Sequence, residues 1–239
     1  MIGATPQKLA HQPTDVFSID NVDVQLGAKR VLAHCTLRIQ AGVTCIVGQS
    51  GTGKSTLLKA MVGLIPLARG SIRFRGLEVS TSHVSMLAEI RRNVAFVFQN
   101  GALFSSLSVF DNCALALRER DHLSVHEIEL RVFDALERVG LSGAHDRMPT
   151  ELSGGMMKRA AIARALAQHP DAILFDEPTT GADPILTTVL MQHIRAITGS
   201  RPAASVIMTH DIDAVRRFAD RIILLFEGNA IWDGVPLAG

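Results

Sequence analysis

The feature that most constrains this chain of 239 residues is a glycine-rich stretch between an apolar strand pattern and a helical pattern. The stretch fits the spacing G-x-x-x-x-G-K-[ST] and consists of Gly48, Gln49, Ser50, Gly51, Thr52, Gly53, Lys54 and Ser55. Residues 43–47, directly before it, are apolar and rich in β-branched side chains, which predicts a buried parallel strand. Residues 54–63 predict a helix. A strand, a glycine-rich loop and a helix in this order indicate an α/β fold that binds phosphate groups.

The residue types of this loop suit a nucleoside triphosphate. The glycines let the backbone curl so that its N–H groups face phosphate oxygens, and the following helix adds its positive N-terminal end. Lys54 can reach the β- and γ-phosphates, the hydroxyl of Ser55 can ligate Mg²⁺, and Thr56 can add a phosphate contact. We therefore predict that residues 48–56 bind a nucleoside triphosphate together with Mg²⁺.

Two carboxylates follow another apolar strand pattern farther along the chain. Residues 172–175 predict a buried strand, and Asp176 and Glu177 stand at its carboxyl end. This edge of a parallel sheet is where doubly wound folds bind their ligands. Asp176 would hold Mg²⁺ through water, and Glu177 would act as the general base for the water that attacks the γ-phosphate. These residue types therefore predict an ATPase.

A second candidate anion site lies far downstream of the loop. Ser153, Gly154 and Gly155 open an alanine-rich helix, where a serine at the N-cap and two glycines leave backbone N–H groups bare. One ATP cannot easily engage both anion sites if the helical region projects away from the first loop, whereas two chains placed head to tail could trap two ATP molecules between them. Taken alone, the same pattern also fits a capped surface helix.

Two further polar residues come directly after strand patterns. Gln99 follows residues 94–98, and its amide could touch both Mg²⁺ or water and the helical region. His210 follows the strand pattern at 203–208, and it could contact the γ-phosphate and report its loss. Taken alone, each is more often an ordinary residue at the end of a strand. The other histidines form no ligand-like group.

Composition narrows the class of protein. The formal net charge is +1, so bulk electrostatics predict neither nucleic-acid binding nor membrane-surface binding. The three cysteines, at positions 35, 45 and 113, lack metal-ligand spacing and indicate reduced thiols in a cytosolic protein. No apolar run approaches the length of a membrane span, and the first fifteen residues lack the features of a signal peptide. If this protein acts at a membrane, another chain must hold it there.

The order of the patterns predicts one domain rather than two. Strand patterns at 17–19, 22–26, 31–39 and 71–74 precede a helical region with segments at 108–120, 124–139 and 153–168, each of which begins with serine, a common N-cap. Apolar strands then return and alternate with helices. We expect a single domain over residues 1–239, with a core at about 1–98 and 170–239 and a helical subdomain inserted at about 99–169.

Together these elements resemble the nucleotide-binding subunit of ABC transporters over nearly the whole chain. In that family's order they are the Walker A loop (48–56), the Q-loop (Gln99), the signature (152–156), the Walker B strand (172–177), the D-loop ending at Asp183 and the switch His210. The resemblance implies an ABC-type P-loop ATPase core, with a RecA-like parallel sheet, an N-terminal antiparallel β-subdomain and an inserted helical subdomain. It also implies a dimer in which residues 153–155 of one chain complete the ATP site of the other, with Asp183 linking the two sites.

Two departures from the usual family pattern mark a subfamily. Met156 stands where the signature usually has glutamine, and Leu26 stands where many members stack an aromatic ring on adenine, so base recognition should be weaker and less selective. The signature with Met156, together with the runs at 98–104, 109–112 and 117–119, looks like the ATPases of MCE-type lipid transporters such as the Mla phospholipid system.

The subfamily resemblance implies partners. These are a permease in the inner membrane, an MCE-domain protein outside that membrane, phospholipid as cargo and, in some relatives, a small STAS-domain subunit. The chain would lie as a peripheral protein on the cytoplasmic face of the bacterial inner membrane. Residues 99–110 carry an apolar patch that fits a groove for a cytoplasmic helix of the permease, or that simply packs the helical subdomain.

Two other functions compete with lipid transport. An ABC importer for a polar solute would use identical ATPase chemistry, although the run at 101–104 and Met156 argue against it. A non-transport ABC protein that acts on DNA or the ribosome usually has long coiled coils or two ATPase domains. This chain has one Walker A loop, no heptad run and a net charge near zero, so it shows no footprint for a nucleic-acid backbone.

Overall fold

The computed structural model describes residues 15–79, 84–120, 123–199 and 203–236. The strands in this part of the chain are β1 (Asp15–Leu26), β2 (Lys29–Gln40), β3 (Gly42–Val47), β4 (Arg69–Phe74), β5 (Leu77–Glu78), β6 (Val94–Val97), β7 (Ala172–Asp176), β8 (Ala204–Thr209), β9 (Arg221–Phe226) and β10 (Asn229–Gly234). The α-helices are α1 (Lys54–Met61), α2 (Val84–Asn93), α3 (Val109–Arg118), α4 (Val125–Arg138), α5 (Gly154–Ala167), α6 (Pro184–Gly199) and α7 (Ile212–Phe218).

A six-stranded sheet in the order β10-β9-β3-β8-β7-β6 forms the centre of the fold. The strands from β9 to β6 run parallel, and the edge strand β10 is antiparallel to β9. β7 and β8 are buried at every position, which explains why they are almost continuously apolar in sequence. Because β3, β6, β7 and β8 are parallel, their carboxyl ends meet at one edge of the sheet.

A smaller antiparallel sheet in the order β2-β1-β4-β5 lies beside the central one. The predicted strands at 17–19 and 22–26 form one strand, β1, because the chain passes between them through an irregular register rather than a turn. Asn21 adopts a left-handed φ of 50° there, and its N–H donates to the hydroxyl of Thr36 at 2.9 Å. A bulge of this kind bends a strand without ending it.

The alternation of side chains along the central strands separates two hydrophobic cores. On β7, Ile173 and Phe175 face a core formed with α3 to α7, whereas Leu174 faces a core shared with α1 and the antiparallel sheet. Leu57 and Leu58 of α1 fill the second core and are fully buried. The phosphate-loop helix is therefore wedged between two sheets, which positions its N-terminus rigidly at the edge where the parallel strands end.

The serine N-caps predicted for three helices are confirmed. The hydroxyls of Ser108, Ser124 and Ser153 each accept a hydrogen bond from the N–H three residues later, at the starts of α3, α4 and α5. Glu127 returns a bond to the N–H of Ser124 and completes a capping box. These three helices contact one another. That residues 99–169 move as a separate subdomain stays a prediction.

Sequence patterns missed three of these helices and strands. They gave no indication of α2, of the two-residue strand β5 or of the edge strand β10. They also gave no indication of how the loop between Gln99 and α3 is held, by hydrogen bonds from the side chain of Asn112 to the carbonyls of Phe104, Leu107 and Ser108. A buried amide that satisfies loop carbonyls leaves no signal in hydrophobic periodicity. Among the described residues, none of the helices combines the length and the apolar character that crossing a membrane requires.

Candidate functional site

The phosphate loop connects the end of β3 to the start of α1 and needs its glycines for steric reasons. A Cβ atom at Gly48 would lie 2.5 Å from the carbonyl oxygen of Leu225 on β9. Gly53, the N-cap of α1, has a φ of 102°, and a Cβ there would lie 2.9 Å from the carbonyl oxygen of Val31. The loop is therefore pressed against two neighbouring strands in a backbone shape that side chains would forbid.

Lys54 lies across the mouth of this loop. Its ammonium group donates to the carbonyl oxygens of Gly48 at 2.7 Å and Gln49 at 3.1 Å, and it lies 3.4 Å from Oε1 of Glu177. The side chain is largely buried. A cation held between the loop and a carboxylate is placed where the outer phosphates of a nucleotide would arrive.

Ser55 and Asp176 form a pair of oxygen ligands although they are 121 positions apart in sequence. The hydroxyl of Ser55, at the start of α1, donates to Oδ1 of Asp176 at 2.8 Å, and Asp176 is buried at the end of β7. Mg²⁺ prefers a few protein oxygens together with phosphate oxygens and water, and this pair fits that requirement. The described residues contain no group of three or more His, Cys, Asp or Glu that could hold a metal by themselves.

Glu177 sits in an unusual backbone conformation at the end of β7. Its φ is 50°, a region that costs a non-glycine residue about 1 kcal/mol or more, and its N–H donates to the carbonyl of Met208 on β8 at 2.9 Å. Oε2 lies 2.8 Å from Nδ1 of His210 and accepts from the hydroxyl of Thr180 at 3.2 Å. An ionised carboxylate can only accept, so a hydrogen bond between Oε2 and Nδ1 requires the tautomer of His210 that has the proton on Nδ1.

One cleft brings most of the predicted residues together. It has a volume of about 680 Å³ and is lined by Leu26, Lys29, Val31, Gln49, Ser50, Gly51, Gly53, Lys54, Ser55, Thr56, Gln99, Glu177, Thr180 and His210. The loop, the carboxylate and the two strand-end residues Gln99 and His210 therefore face one space. Asp176 reaches this site through its bond to Ser55. Leu26 is 48% exposed at the far end of the cleft.

Residues 153–155 and Asp183 do not line this cleft. Ser153 caps α5, and a Cβ at Gly154 would meet nothing within 4 Å, so the N-terminus of this helix opens onto free space. Gly155 faces the side chain of Leu186, at 3.1 Å from an added Cβ. Asp183 is exposed, and its Oδ1 accepts from the N–H of Leu186 at the start of α6. The candidate anion site at 153–155 is therefore separate from the phosphate-loop cleft within one chain.

Sequence reasoning missed several residues of the site. Thr180 bonds to Glu177, and Lys29 and Val31 line the end of the cleft beside Leu26. Lys158 of α5 donates to the carbonyls of Pro178 and Thr180, directly after Glu177. Thr180 could have been suspected because it stands three residues after a candidate base. No pattern in sequence pointed to Lys158, because its partners are backbone atoms of a distant loop.

The site and the fold define the class of protein. The family model described as ABC transporter matches residues 32–180, a span from β2 to the loop that follows Glu177. The chain therefore belongs to the ABC transporter family and is an ATP-hydrolysing, ATP-binding subunit of that class.

Individual relatives fall into two groups by name. The chain is similar to the intermembrane phospholipid transport system ATP-binding protein MlaF of Haemophilus influenzae, with 38% identity over 221 residues that cover 92% of this chain and 84% of that protein. MlaF of Escherichia coli K12 is 39% identical over 92% of this chain and 82% of its own length. The probable ribonucleotide transport ATP-binding protein mkl of Mycobacterium leprae is 41% identical over 91% of this chain, which spans only 63% of that protein.

Solved structures confirm the predicted ABC-type ATPase fold. The cassette MJ0796, in a dimeric post-hydrolysis state bound to ADP and Pi, has a TM-score of 0.84 and 30% identity, and the match covers 93% of this chain and 100% of that chain. The cassette cbiO1 from Clostridium perfringens, part of the cbiONQ transporter complex, has a TM-score of 0.85 and 30% identity over 93% of this chain and 89% of that chain.

Proposed function

We propose that this chain is the ATP-hydrolysing motor subunit of a bacterial ABC phospholipid transporter of the MCE/Mla type. It works as a head-to-tail dimer on a membrane permease, at the cytoplasmic face of the inner membrane. The observation that carries the ATPase part is the convergence of Lys54, Glu177 and His210 on one cleft. The cargo is supported by the 38% identity to an MlaF protein together with Met156 and the run at 101–104.

The residues of the cleft divide the work of hydrolysis. Backbone N–H groups of residues 48–56 cradle the phosphates, while Lys54 leaves the carbonyls of its own loop and pairs with the outer phosphates. Ser55 and Asp176 supply oxygen ligands for Mg²⁺, and Gln99 stands at the rim of the same space. Mg²⁺ bound there would neutralise charge on the β- and γ-phosphate oxygens.

Glu177 acts as the general base. Its carboxylate takes a proton from a water molecule as the water oxygen bonds to the γ-phosphorus and the bond to the bridging oxygen of ADP breaks. His210 and Thr180 hold Oε2, so the second oxygen of the carboxylate, Oε1, is the one that faces Lys54 and the cleft. Oε1 of Glu177 is therefore the oxygen that receives the proton from water.

The open N-terminus of α5 supports the dimer. An anion site that faces away from its own cleft is usable by a second copy, and Ser153, Gly154 and Gly155 would then complete the partner's ATP site. The exposed Asp183 accepts from the N–H of Leu186, and the side chain of Leu186 faces Gly155. Asp183 would link the two ATP sites. The solved cassette MJ0796 is dimeric with ADP and Pi bound. Residues 99–169, acting as a helical subdomain, would carry closure of the dimer to the permease.

The partners follow from the cargo. The permease would bind the exposed apolar side chain of Phe104 and its neighbours in the loop before α3. An MCE-domain protein would stand on the far side of the permease, and a small STAS-domain subunit is a further partner of this type of transporter. We propose no nucleic-acid partner.

A second cargo class is favoured by one observation, the 41% identity to a protein named for ribonucleotide transport. An ABC transporter for such a polar solute would contain the same ATPase chemistry. The two proposals differ only in what the permease carries, so the test must identify the cargo.

The test is a pull-down of Glu177→Gln from native membranes with ATP and Mg²⁺, followed by mass spectrometry of proteins and lipids. We expect a permease, an MCE-domain protein and enriched phospholipid. The same variant without nucleotide serves as the control. A permease with a solute-binding protein and no lipid enrichment would overturn the cargo, and recovery of no membrane protein would overturn the assignment to a transporter.

A further inference from the structure

Helix α5 holds two loops of the cleft through two cations. Lys158, in its second turn, donates from Nζ to the carbonyl oxygens of Pro178 at 2.8 Å and Thr180 at 2.7 Å. Arg164, farther along the helix, donates to the carbonyls of Gly101 at 2.8 Å and Ala102 at 2.7 Å. The first loop follows the base Glu177, and the second follows Gln99. The helix that begins with the signature is thus tied to both loops.

The contact of Lys158 reaches the catalytic carboxylate in two bonds. Thr180 gives its carbonyl oxygen to Lys158, and it gives its hydroxyl proton to Oε2 of Glu177 at 3.2 Å. A shift of Lys158 therefore moves the residue that orients the base. The N–H of Thr180 also donates to the carbonyl of Glu177 at 3.3 Å, so residues 177–180 form a hydrogen-bonded turn.

The surroundings of Lys158 indicate that it acts through backbone dipoles rather than through an ion pair. Partial burial lowers the pKa of its ammonium group. Within the described residues, no carboxylate lies at ion-pair distance from Nζ, and its hydrogen-bond acceptors there are the two carbonyls. The side chain also lines a small cavity together with Gln99, Gly101 and Pro178, where the two loops meet α5. Each bond from a charged donor to such an acceptor is directional and is lost if the helix rotates.

We propose that Lys158 is a positioning residue that couples the signature helix to the catalytic base. When α5 is packed as in this structure, Lys158 is hydrogen-bonded to residues 178 and 180, and Thr180 keeps Glu177 in place. When α5 rotates away, the loop is released and the base loses its orientation. The signature segment and the base of one chain serve different ATP sites in the proposed dimer. Lys158 therefore ties hydrolysis at one site to engagement at the other, an inference that rests on the proposed head-to-tail arrangement.

The test compares Lys158→Met with Arg159→Met in the purified chain. Arg159 is the neighbouring cation on α5. It also donates to two backbone carbonyls, those of Val139 at 3.0 Å and Gly140 at 3.1 Å, but these lie away from the cleft. Both changes remove two bonds to carbonyls, so a purely structural role predicts similar losses of Tm. We expect kcat of Lys158→Met to fall by about tenfold to a hundredfold, the size of a misplaced catalytic group, with Arg159→Met near wild type.

Two further measurements separate positioning from folding and binding. The affinity for N-methylanthraniloyl-ATP should stay within about twofold in Lys158→Met, because the phosphate loop is untouched. Lys158→Arg should recover most of kcat, since it keeps a charged donor, and Lys158→Gln should be intermediate. An unchanged kcat in Lys158→Met, or losses that simply follow Tm in both variants, would overturn the assignment.

The dimer is tested separately from Lys158. Light scattering of Glu177→Gln with ATP reports whether two chains associate. Absence of a dimer would remove the coupling between sites, whereas a dimer together with a fully active Lys158→Met would remove only the role of Lys158. The kcat comparison is decisive for the positioning of Glu177 in either case.

Discussion

Glu177 is held by three different parts of the chain. Its backbone bonds to β8, its Oε2 contacts His210 and Thr180, and its Oε1 lies near Lys54. A carboxylate with so many contacts loses little further freedom when substrate binds, which favours catalysis by a prepositioned base. The left-handed φ of this residue is the local cost of that placement.

Replacing Glu177 with Gln should separate binding from hydrolysis. The amide keeps the size of the side chain but cannot take a proton, so we expect turnover to fall by about 10²-fold to 10⁴-fold while ATP still binds. Steady-state ATPase assays and equilibrium titration with a fluorescent ATP analogue measure the two effects. Lys54→Ala is the contrasting variant, because it should lose binding and hydrolysis together. Near-normal turnover in Glu177→Gln would remove this residue from its role.

Leu26 should make the enzyme tolerant of the base. Among the described residues that line the cleft, Leu26 and Val31 offer only apolar contact, and none is aromatic. Stacking on an aromatic ring is worth about 1–3 kcal/mol, so we expect Leu26→Tyr to lower KM for ATP by about tenfold. We expect the wild type to use ATP and GTP with similar kcat/KM. Leu77→Tyr, at an exposed position away from the cleft, is the control. Strong preference of the wild type for ATP would contradict the prediction.

The three cysteines should be unreactive in the folded protein. Burial raises the pKa of Cys35, Cys45 and Cys113 to about 12 each. At pH 8 the thiolate fraction of such a group is only about 10⁻⁴, and the sulfur atoms are shielded from reagent. We expect a thiol reagent such as dithionitrobenzoate to label none of them before unfolding and all of them in denaturant. Rapid labelling of the native chain at pH 8 would show that a cysteine-bearing element opens easily.

At the scale of elements, the cleft depends on how α1, α3 and α5 are attached to the sheet. α1 is packed in the hydrophobic core between the two sheets, and α5 is hydrogen-bonded to the loops after β6 and β7. α3 is preceded by a non-helical loop that the buried side chain of Asn112 holds. The helices are therefore attached to the rest of the fold by hydrogen bonds near the cleft and by apolar contacts elsewhere.

Asn112→Ala should destabilise the fold and loosen this loop. The amide is fully buried, donates to the carbonyls of Phe104, Leu107 and Ser108, and accepts from the N–H of Phe104 at 2.7 Å. Leaving such groups without partners should lower the free energy of unfolding by about 2–4 kcal/mol. Urea unfolding followed by circular dichroism measures the change. Asn100→Ala, at an exposed neighbouring position, should unfold like the wild type. Equal stability of the two variants would show that water replaces the amide.

At the scale of the whole molecule, the two anion sites lie in different places on one chain. The phosphate loop faces the cleft, while the N-terminus of α5 faces outward. The N-terminus of α5 offers backbone N–H groups that could bind a phosphate, as the phosphate loop does. A head-to-tail pair of chains would use both, which is why the dimer is part of the proposed function.

Gly154→Asp should block the dimer without harming the monomer. A Cβ at this position meets no atom within 4 Å, and an acidic residue in the first turn of a helix is favourable by about 0.3–1 kcal/mol. In the dimer the new carboxylate would face the partner's γ-phosphate. We expect Glu177→Gln to dimerise with ATP and the double variant with Gly154→Asp to stay monomeric, as measured by light scattering. An ATP-dependent dimer in the double variant would contradict the proposed use of α5.

Local patterns were sufficient for the parts of the protein that depend on neighbours in sequence. The phosphate loop, the serine caps and the apolar strands were predictable because turn geometry, capping and burial act over a few residues. They also indicated an α/β core with a helical insertion, whereas the ABC-type ATPase fold followed from the resemblance to that family. The elements α2, β5 and β10 were missed because their short or polar patterns become helix or strand only through neighbours.

Tertiary structure alone decided the contacts that make the site. Ser55 and Asp176 are 121 positions apart, Glu177 and His210 are 33 apart, and they meet because the carboxyl ends of β3, β7 and β8 share one edge. The same applies to Lys158, whose partners are carbonyls of a loop on another element. A sequence specifies which residues can do chemistry. Distances between their atoms follow only when strand register and helix packing bring them together, because hydrogen bonds require donor and acceptor within about 3 Å.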